Sequence, residues 1–280
     1  MLRINTYRKY NGEKNIAVMD NSLLAFLEKL AKSGFQTEMF LKKYDLILIP
    51  GWVLEELSDS QFRSAYVQNL IDGGFPVFCV SEQDYSDFVH QEELSLFQIV
   101  LESVRCINDI RNYLRRNVQT EDPLDMKSYR EWINDLYNNW PLKGKRSSSG
   151  RVTKKNAGEI SITILAEILA WYYPDLEGIT IHTSDADSFE FIREATEHLK
   201  KTFSERVPVP IAFRSEDSLL CQMLRSDMLQ SEYLSSFRAN PRYLQYINIQ
   251  SDGAVAVVSK RVDNREFLML SQDPSVHIIF

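Results

Sequence analysis

Five short apolar runs, separated by segments with helical periodicity, constrain the fold of this sequence more than any other feature. The runs cover residues 15–20, 45–50, 75–80, 178–183 and 207–213. A short apolar run bounded by turn residues is typical of a strand that is buried on both faces. Helical patterns cover residues 21–32, 53–57, 156–172, 188–203 and 215–237. Strands that alternate with helices indicate parallel pairing, so we predict an α/β fold in which helices flank a parallel sheet.

The alternation is interrupted once and then ends, which divides the chain into three parts. From residue 81 to about 139 only helical periodicity is present, and a linker rich in Pro, Gly, Ser and basic residues follows at 141–151. After Asn240-Pro241 the pattern is β-like, with turn signals at 251–253 and 263–264. We therefore predict three parts: a discontinuous α/β domain at 13–80 and 150–237, a helical insertion with a basic linker at 81–149, and a small antiparallel, β-rich extension at 240–280.

Composition limits the class of protein. The 280 residues are 44% hydrophobic and 25% charged, which is typical of a folded soluble chain. No apolar run approaches the roughly 18 residues that a membrane-spanning helix needs, and the start of the chain lacks the apolar core of a signal peptide. The three cysteines, Cys79, Cys106 and Cys221, are far apart and predict reduced core thiols. We expect a cytoplasmic protein without a membrane partner.

The charge is acidic overall but basic in one segment. The formal net charge is −7, which alone argues against a nucleic-acid partner. Between residues 142 and 158, however, there is no acidic residue, and there are six basic ones: Lys143, Lys145, Arg146, Arg151, Lys154 and Lys155. This segment is either a phosphate-binding surface or a solvated, mobile loop, and charge alone does not separate the two interpretations.

Four acidic residues stand where a predicted strand ends or where the following helix begins. Asp20 ends the first strand, Glu56 follows the second, Glu159 opens the helix after the basic segment, and Asp185 follows the strand at 178–183. Because the carboxyl ends of parallel strands meet at one edge of a sheet, we expect these carboxylates to converge. Clustered carboxylates repel each other unless they are protonated or neutralised by a cation. Mg²⁺ and Mn²⁺ prefer such oxygen ligands, so the pattern predicts a divalent metal site.

The four acidic segments resemble, in the same order, the motifs of the PIN-domain superfamily of nucleases. Residues 16–22 resemble its first strand with the terminal aspartate, 49–57 its proline and acidic-Leu segment, 156–161 its Gly-Glu helix start, and 183–189 its Asp-containing strand end. The resemblance covers about 13–80 and 150–213. It implies a Mg²⁺- or Mn²⁺-dependent ribonuclease in which Asp20, Glu56, Glu159 and Asp185 are catalytic. The implied metal ligands are Asp20, Glu159, Asp185 and, as a further acid, Asp187.

Each candidate also has a purely structural interpretation. Asp20 suits the turn into the following helix, and Glu56 suits the first turn of a helix, where the helix dipole stabilises an acid. Asp187 begins a capping-box pattern, which favours it as a helix cap over a metal ligand. His182 is interpreted as structural or exposed, and Trp52 as a packing residue rather than one that stacks on a base.

The leading hypothesis is an endoribonuclease that hydrolyses phosphodiester bonds of single-stranded RNA, with the basic segment contacting phosphates beside the metal. A second hypothesis is a PIN-like scaffold that has lost catalysis and binds a nucleic acid or a protein. A third is a structure-specific DNA nuclease of the related flap-nuclease group, although this sequence has no recognisable helix-hairpin-helix. PIN-like proteins are often dimers, so a homodimer is a further expectation.

Overall fold

The computed structural model describes residues 2–90, 92–118, 127–146, 150, 152–249 and 253–280, apart from the side chains of 115, 117, 118 and 145. Its strands are β1 (Asn5–Thr6), β2 (Asn15–Met19), β3 (Leu46–Pro50), β4 (Val77–Val80), β5 (Lys143–Arg146), β6 (Val152–Lys154), β7 (Gly178–His182), β8 (Ile211–Arg214), β9 (Arg242–Ile249), β10 (Val255–Val262) and β11 (Val276–Ile278).

Its helices are α1 (Asn21–Lys32), α2 (Gly51–Leu57), α3 (Gln61–Asp72), α4 (Glu93–Ser103), α5 (Asn108–Val118), α6 (Tyr129–Asn138), α7 (Ala157–Tyr172), α8 (Asp187–Thr202), α9 (Glu216–Arg225), α10 (Leu234–Phe237) and α11 (Asn264–Gln272). Short 3-10 segments occur at Thr37–Phe40, Glu82–Phe88 and Ser231–Tyr233. In the part of the chain that is described, none of the helices is both long and apolar enough to cross a membrane.

The central sheet is built mainly from the strands that the apolar runs predict. Its six strands are all parallel and lie in the order β1-β4-β3-β2-β7-β8. Every residue of β3 is buried, as expected for a central strand of such a sheet. The predicted class, a parallel sheet flanked by helices, is therefore confirmed.

Two details of the sheet differ from the prediction. The strand β1 is only two residues long, and so short a segment carries no periodicity from which to predict it. The strand β8 begins at Ile211 rather than at residue 207. Pro208 and Pro210 precede it, and proline has no amide hydrogen with which to pair in a sheet.

The strand order reverses between β2 and β7, and this reversal positions the candidate site. From β2 the chain moves to β3 and β4 on one side, and from β7 it moves to β8 on the other side. Right-handed crossovers place α1 and α3, which pack together, on one face, and α8 on the opposite face, where it packs against α4 and α7. The carboxyl ends of β2 and β7 are therefore a topological switch point, which is the usual position of a ligand site in such sheets.

The predicted insertion contributes α4, α5, α6 and part of a hairpin. The linker expected at 141–151 is instead partly regular, because β5 pairs antiparallel with β6. Trp52 of α2 is buried, as the packing interpretation predicts, and stacks on Tyr137 of α6 with 4.7 Å between ring centroids. Trp140 meets the same indole edge-on at 5.3 Å. Aromatic rings therefore fasten the insertion to α2.

The C-terminal extension contains the small antiparallel sheet that the sequence predicts, with an added helix. Its strands lie in the order β10-β9-β11, and α11 connects β10 to β11. The single helix predicted for 215–237 is wrong, because α9 ends at Arg225. The chain turns at Asp227, whose φ is +54°, and the amide of Met228 returns to the carbonyl of Met223. A left-handed residue of this kind closes a helix by satisfying its last carbonyl groups.

A buried ion pair joins the extension to α9. The side chains of Arg238 and Asp217 are fully buried, and Arg238 Nε donates to Asp217 Oδ2 at 3.1 Å. Arg238 Nη1 also donates to Asn264 Oδ1 at 3.0 Å, and its guanidinium lies 4.4 Å from the centre of the Phe267 ring. Burial raises the pKa of Asp217 even though the charges of Arg238 and Arg242 oppose the shift. The pair is therefore costly to break, since either partner alone would be a charge held away from water.

Arg238→Met is expected to lower the free energy of unfolding by about 3 kcal/mol, because it leaves the buried Asp217 carboxylate with only the more distant Arg242, at 3.8 Å. Urea denaturation followed by circular dichroism measures the change. The double variant Arg238→Met/Asp217→Asn should lose less than the single variant, since the uncompensated charge is gone. Arg193→Met, which breaks an exposed pair with Glu190, is the control and should cost less than about 1 kcal/mol. Equal losses in the single and double variants would contradict this explanation.

Candidate functional site

Asp20 lies at the carboxyl end of β2, where it both caps α1 and contacts β7. Its backbone amide donates to the carbonyl of His182 at 2.8 Å, which continues the pairing of the two strands. Its carboxylate accepts hydrogen bonds from the amides of Asn21 at 2.7 Å and Ser22 at 3.3 Å. The hydroxyls of Ser22 and Thr183 also donate to Oδ2, the latter at 3.0 Å. Asp20 therefore caps α1, as the structural interpretation predicts. The residue is only 7% exposed.

The loop that follows β7 is tied to Asp20 through two hydroxyl groups. Thr183 Oγ1, which donates to Asp20, accepts from the amide of Asp185 at 3.0 Å. Ser22 Oγ, which also donates to Asp20, accepts from the amide of Ser184 at 3.0 Å. Each hydroxyl therefore donates its proton to the Asp20 carboxylate and accepts a hydrogen bond from a backbone amide of the loop. This arrangement fixes the orientation of Asp20 and brings the backbone of Asp185 close to it.

Asp187 does not have the capping role that its sequence pattern predicts. The residue before α8 is Ala186, whose side chain makes no capping hydrogen bond. Asp185 Oδ1 instead accepts from the amide of Asp187 at 2.9 Å, so the acid two residues earlier closes the turn. The side chain of Asp187 is exposed. Of the two aspartates, Asp185 is the one that the hydrogen-bond network holds near Asp20.

Glu159 and Glu56 meet where α7 begins. Asn156, whose φ of +61° is left-handed, turns the chain into α7, and Glu159 lies in the first turn. Gly158 lies against α2, because a Cβ there would be 3.4 Å from Val53 Cγ2 and 3.7 Å from Glu56 Oε1. These are ordinary van der Waals distances, so the start of α7 packs directly on the helix that carries Glu56.

The four predicted carboxylates share one electrostatic neighbourhood. Burial and, after it, the charge of Asp20 raise the pKa of Glu159 to about 8, with further contributions from Asp185 and Glu56. Burial also raises the pKa of Asp20, although the hydrogen bonds that it accepts oppose the shift. Near neutral pH the cluster therefore retains a proton on Glu159, and a bound cation would take the place of that proton.

The carboxylates suit a divalent cation by their chemistry, but they do not enclose one. All the donors are hard oxygens, which Mg²⁺ and Mn²⁺ prefer. Within the residues that the structure describes, no group of three or more His, Cys, Asp or Glu side chains is arranged to hold a metal ion. Mg²⁺ is commonly held by only one or two carboxylates together with water and substrate phosphates. The first pair to test as metal ligands is therefore Asp20 and Glu159. Among the neighbouring charges, that of Asp20 raises the pKa of Glu159 most.

Arg63 is a cation beside this cluster that sequence reasoning does not find. It extends from α3, and its Nη1 donates to Oδ1 of Asn21, the residue after Asp20. Its side chain is half-buried. The contact joins positions 42 residues apart, so no local pattern reveals it. Arg63 places a positive charge near Asp20, where a phosphate group would be attracted.

Two further buried acids, Glu82 and Glu167, have structural partners. Glu82 Oε1 accepts from the amide of Trp52 at 2.8 Å and from Ser161 Oγ at 2.5 Å, which ties the start of α2 to α7. Glu167 Oε1 accepts from Thr196 Oγ1 at 2.6 Å, which ties α7 to α8. Burial raises the pKa of both acids to about 7. These hydrogen bonds explain why the fold retains them, and neither is assigned to the site.

Most of the predicted basic surface lies on the hairpin of β5 and β6. Lys143 and Arg146 are exposed on β5, and Lys155 is exposed just after β6. The side chain of Lys145 and the whole of Arg151 lie outside the described residues. The three exposed cations are accessible to a polyanion.

Lys154 connects this hairpin to the acidic cluster. It is half-buried, its Nζ donates to the carbonyl of Tyr137, and the same atom lies 3.1 Å from the centre of the Tyr137 ring. Lys154 lines a small depression together with Glu56 and Asp59. The basic hairpin is thus adjacent to one of the four predicted carboxylates.

The chain was compared with protein-family models, with curated proteins and with solved structures, and none of the three comparisons found a match. The resemblance to PIN domains therefore rests on the four acidic segments of the sequence.

Glu159→Gln is expected to stabilise the protein at alkaline pH but not at acidic pH. The folded protein holds the Glu159 proton up to about pH 8, whereas the ordinary pKa is 4.5, so stability falls as the pH rises between these values. Glutamine has no proton to lose, and the gain over the wild type should reach about 1 kcal/mol near pH 9 after allowance for solvent screening. Urea denaturation at several pH values in EDTA measures the difference.

Two features of this experiment isolate Glu159. Glu82 and Glu167, whose pKa values burial raises to about 7, titrate in both proteins and cancel from the difference. Glu190→Gln, which removes a charge from an exposed position of α8, should show no gain that grows with pH. If Glu159→Gln gains the same stability at about pH 5 and about pH 9, the raised pKa is wrong.

Proposed function

We propose that this chain is a metal-dependent endoribonuclease of the PIN-like type, which hydrolyses phosphodiester bonds of single-stranded RNA. The observation that carries the proposal is the placement of the acids: Thr183 joins Asp20 to the backbone of Asp185, and Glu56 lies against the first turn of α7, which carries Glu159. These acids lie where the strand order reverses, the usual place for a ligand in an open parallel sheet. Strongly perturbed acids at such a position are a mark of functional sites.

The proposal gives each acid a role. Asp20 and Glu159, with Asp185 nearby, would hold a Mg²⁺ or Mn²⁺ ion together with water and substrate phosphates, whereas Asp187 is exposed and lies at the edge of the cluster. When bound, the ion supplies an activated water and neutralises charge on the phosphodiester. Glu56, which lies against the first turn of α7, orients the attacking water and accepts its proton.

The hydroxyl groups around Asp20 support this role by restricting its motion. Ser22 and Thr183 both donate to Oδ2, and the loop after β7 holds those hydroxyls in turn. A carboxylate fixed in this way presents its remaining lone pairs in one direction, so little reorganisation is needed when a cation binds.

Cations on both sides of the acids supply contacts for RNA. Arg63 lies near Asp20 on the side of α3, and Lys154 lies near Glu56 on the side of the hairpin. Lys143 and Arg146 extend the positive charge along β5. Such contacts position a phosphate backbone without reading its sequence.

A second candidate function is a PIN-like scaffold without catalysis, which binds a nucleic acid or a protein. The observation in its favour is that the described acidic side chains form no three-ligand group. Titration calorimetry with Mn²⁺ separates the two functions, because a scaffold should bind no metal at millimolar concentration.

Asp20→Asn and Glu159→Gln are each expected to reduce Mn²⁺-dependent cleavage of a single-stranded RNA by about 100-fold or more, because each removes a negative charge that stabilises the reacting centre. Gel electrophoresis of a labelled oligoribonucleotide measures the rate. Glu190→Gln is the matched control, since it removes an exposed carboxylate, and should cleave like the wild type.

Circular dichroism shows whether each variant retains the fold. If the folded Asp20→Asn protein cleaves at the wild-type rate, the assignment of the metal site is wrong. If the wild type neither cleaves RNA nor gives a heat signal with Mn²⁺, the scaffold function is the correct one. Competition between single-stranded RNA and flap DNA identifies the nucleic acid that the site prefers.

Replacing Lys143 and Arg146 together by glutamine is expected to weaken RNA binding and to reduce the salt dependence. The slope of log K against log salt should fall by about 1.4, because roughly 0.7 counterions are released per contact with a single strand. Fluorescence anisotropy in EDTA over a series of NaCl concentrations measures both quantities. The control Lys200→Gln/Lys201→Gln removes the same charge from the far end of α8. Equal effects of the two double variants would show that net charge, and not the hairpin, determines binding.

A further inference from the structure

A cavity of about 510 Å³ lies away from the carboxylates, where α9 and the extension meet the outer strands of the central sheet. Its walls come from β7, β8, α9 and β11, and Lys43 closes one side. None of the four predicted acidic residues lines it. Its lining is therefore distinct from the acidic cluster, although the two adjoin where the amide of Thr183 donates to the carbonyl of Arg214 at 3.1 Å.

The charge of this cavity is opposite to that of the whole chain. Lys43, Arg214 and Arg225 line it, and no acidic side chain of the described residues does so. The chain itself carries a formal net charge of −7. A local concentration of positive charge in an acidic protein attracts anions.

Two of these cations have donors available for a ligand. Arg225 is committed to the fold, because it donates to the carbonyls of Ser271, Asp273 and Val276 at 2.7–2.8 Å. Arg214 donates only from Nη2, to Gln222, as far as the described residues show. Lys43 is exposed and contacts the Tyr44 ring at 4.9 Å, and it forms no ion pair within the described chain.

His182 and Tyr44 form a buried pair beside Lys43. His182 is fully buried, as the structural interpretation allows, and its Nε2 lies 2.8 Å from Tyr44 Oη. The ring of Tyr44 is the one that Lys43 contacts, so this pair packs next to the Lys43 side of the cavity.

We propose that this cavity binds the phosphate group of a small, nucleotide-sized molecule. The guanidinium of Arg214 offers a planar fork to phosphate oxygens, and Lys43 adds a point charge. Ser218, Gln222 and Ser226 line the same cavity. The hydroxyls of Ser218 and Ser226 donate to backbone carbonyls, so they offer a ligand their lone pairs, and the Gln222 amide offers its N–H donors. The volume lies in the usual range for small-molecule sites, about 300–1,000 Å³. This site is additional to the proposed nuclease function and does not depend on it.

Titration calorimetry in EDTA, with AMP, adenosine and inorganic phosphate as probes, tests the proposal. Wild-type protein should bind AMP at least about tenfold more tightly than adenosine, and inorganic phosphate should compete with AMP. Lys43→Gln and Arg214→Gln should each weaken AMP binding by about tenfold, since each removes a charge-assisted hydrogen bond. Lys42→Gln, an exposed neighbour that does not line the cavity, is the matched control and should bind AMP like the wild type.

Several outcomes would overturn the proposal. Equal affinity of the protein for AMP and adenosine would exclude recognition of the phosphate. Equal weakening of AMP binding by Lys42→Gln and Lys43→Gln would exclude a specific role of Lys43. No binding of AMP or phosphate at millimolar concentration would exclude the site. Displacement of AMP by a single-stranded RNA that lacks terminal phosphates would assign the cavity to the RNA backbone and reject a small-molecule site. Because EDTA prevents metal-dependent cleavage, none of these results bears on the nuclease assay.

Discussion

The candidate site depends on the parallel pairing of β2 with β7. Beyond the strand ends, a hydrogen bond between Thr183 and Asp20 continues this pairing. The two residues are 163 positions apart, and their side chains bond at 3.0 Å. A hydroxyl that donates to a buried carboxylate forms a stronger bond than two neutral groups do. Without this alignment the loop that carries Asp185 would have no fixed relation to Asp20.

The buried acids of the described residues fall into two groups, which differ in how strongly another acid repels their charge. Glu82 and Glu167 accept hydrogen bonds that join neighbouring helices. Asp20 also accepts hydrogen bonds, but it and Glu159 lie, in addition, within range of each other's charge. Electrostatic repulsion of this kind opposes folding, and it persists in proteins mainly where a ligand relieves it. The difference between the two groups is what distinguishes a site from a structural contact here.

Much of the fold follows from local patterns, and the exceptions have physical causes. Residues 21–32 form a helix because their apolar residues repeat at helical spacing and Asp20 caps the first turn. The same periodicity continues through 215–237, yet the chain leaves the helix after Arg225. The left-handed Asp227 closes the helix there, and the segment that follows brings Arg238 back to Asp217 in the buried ion pair. Periodicity carries no information about such a contact.

Local sequence patterns also predict only part of the candidate site. The alternation of strands and helices is enough to expect Asp20, Glu159 and Asp185 near one edge of the sheet. It does not choose between Asp185 and Asp187, because both acids suit a turn before a helix. It also gives no sign of Arg63, whose contact with Asn21 is purely tertiary.

The stacked rings at the insertion have a mechanical consequence. Lys154 lies over the ring of Tyr137, and that ring lies over Trp52. Trp52 belongs to α2, a helix of only seven residues that also carries Glu56. So short a helix has little rigidity of its own, and its position is set by what rests on it. The insertion therefore fixes the position of α2. A displacement of the hairpin would be transmitted to Glu56 through Lys154, Tyr137 and Trp52.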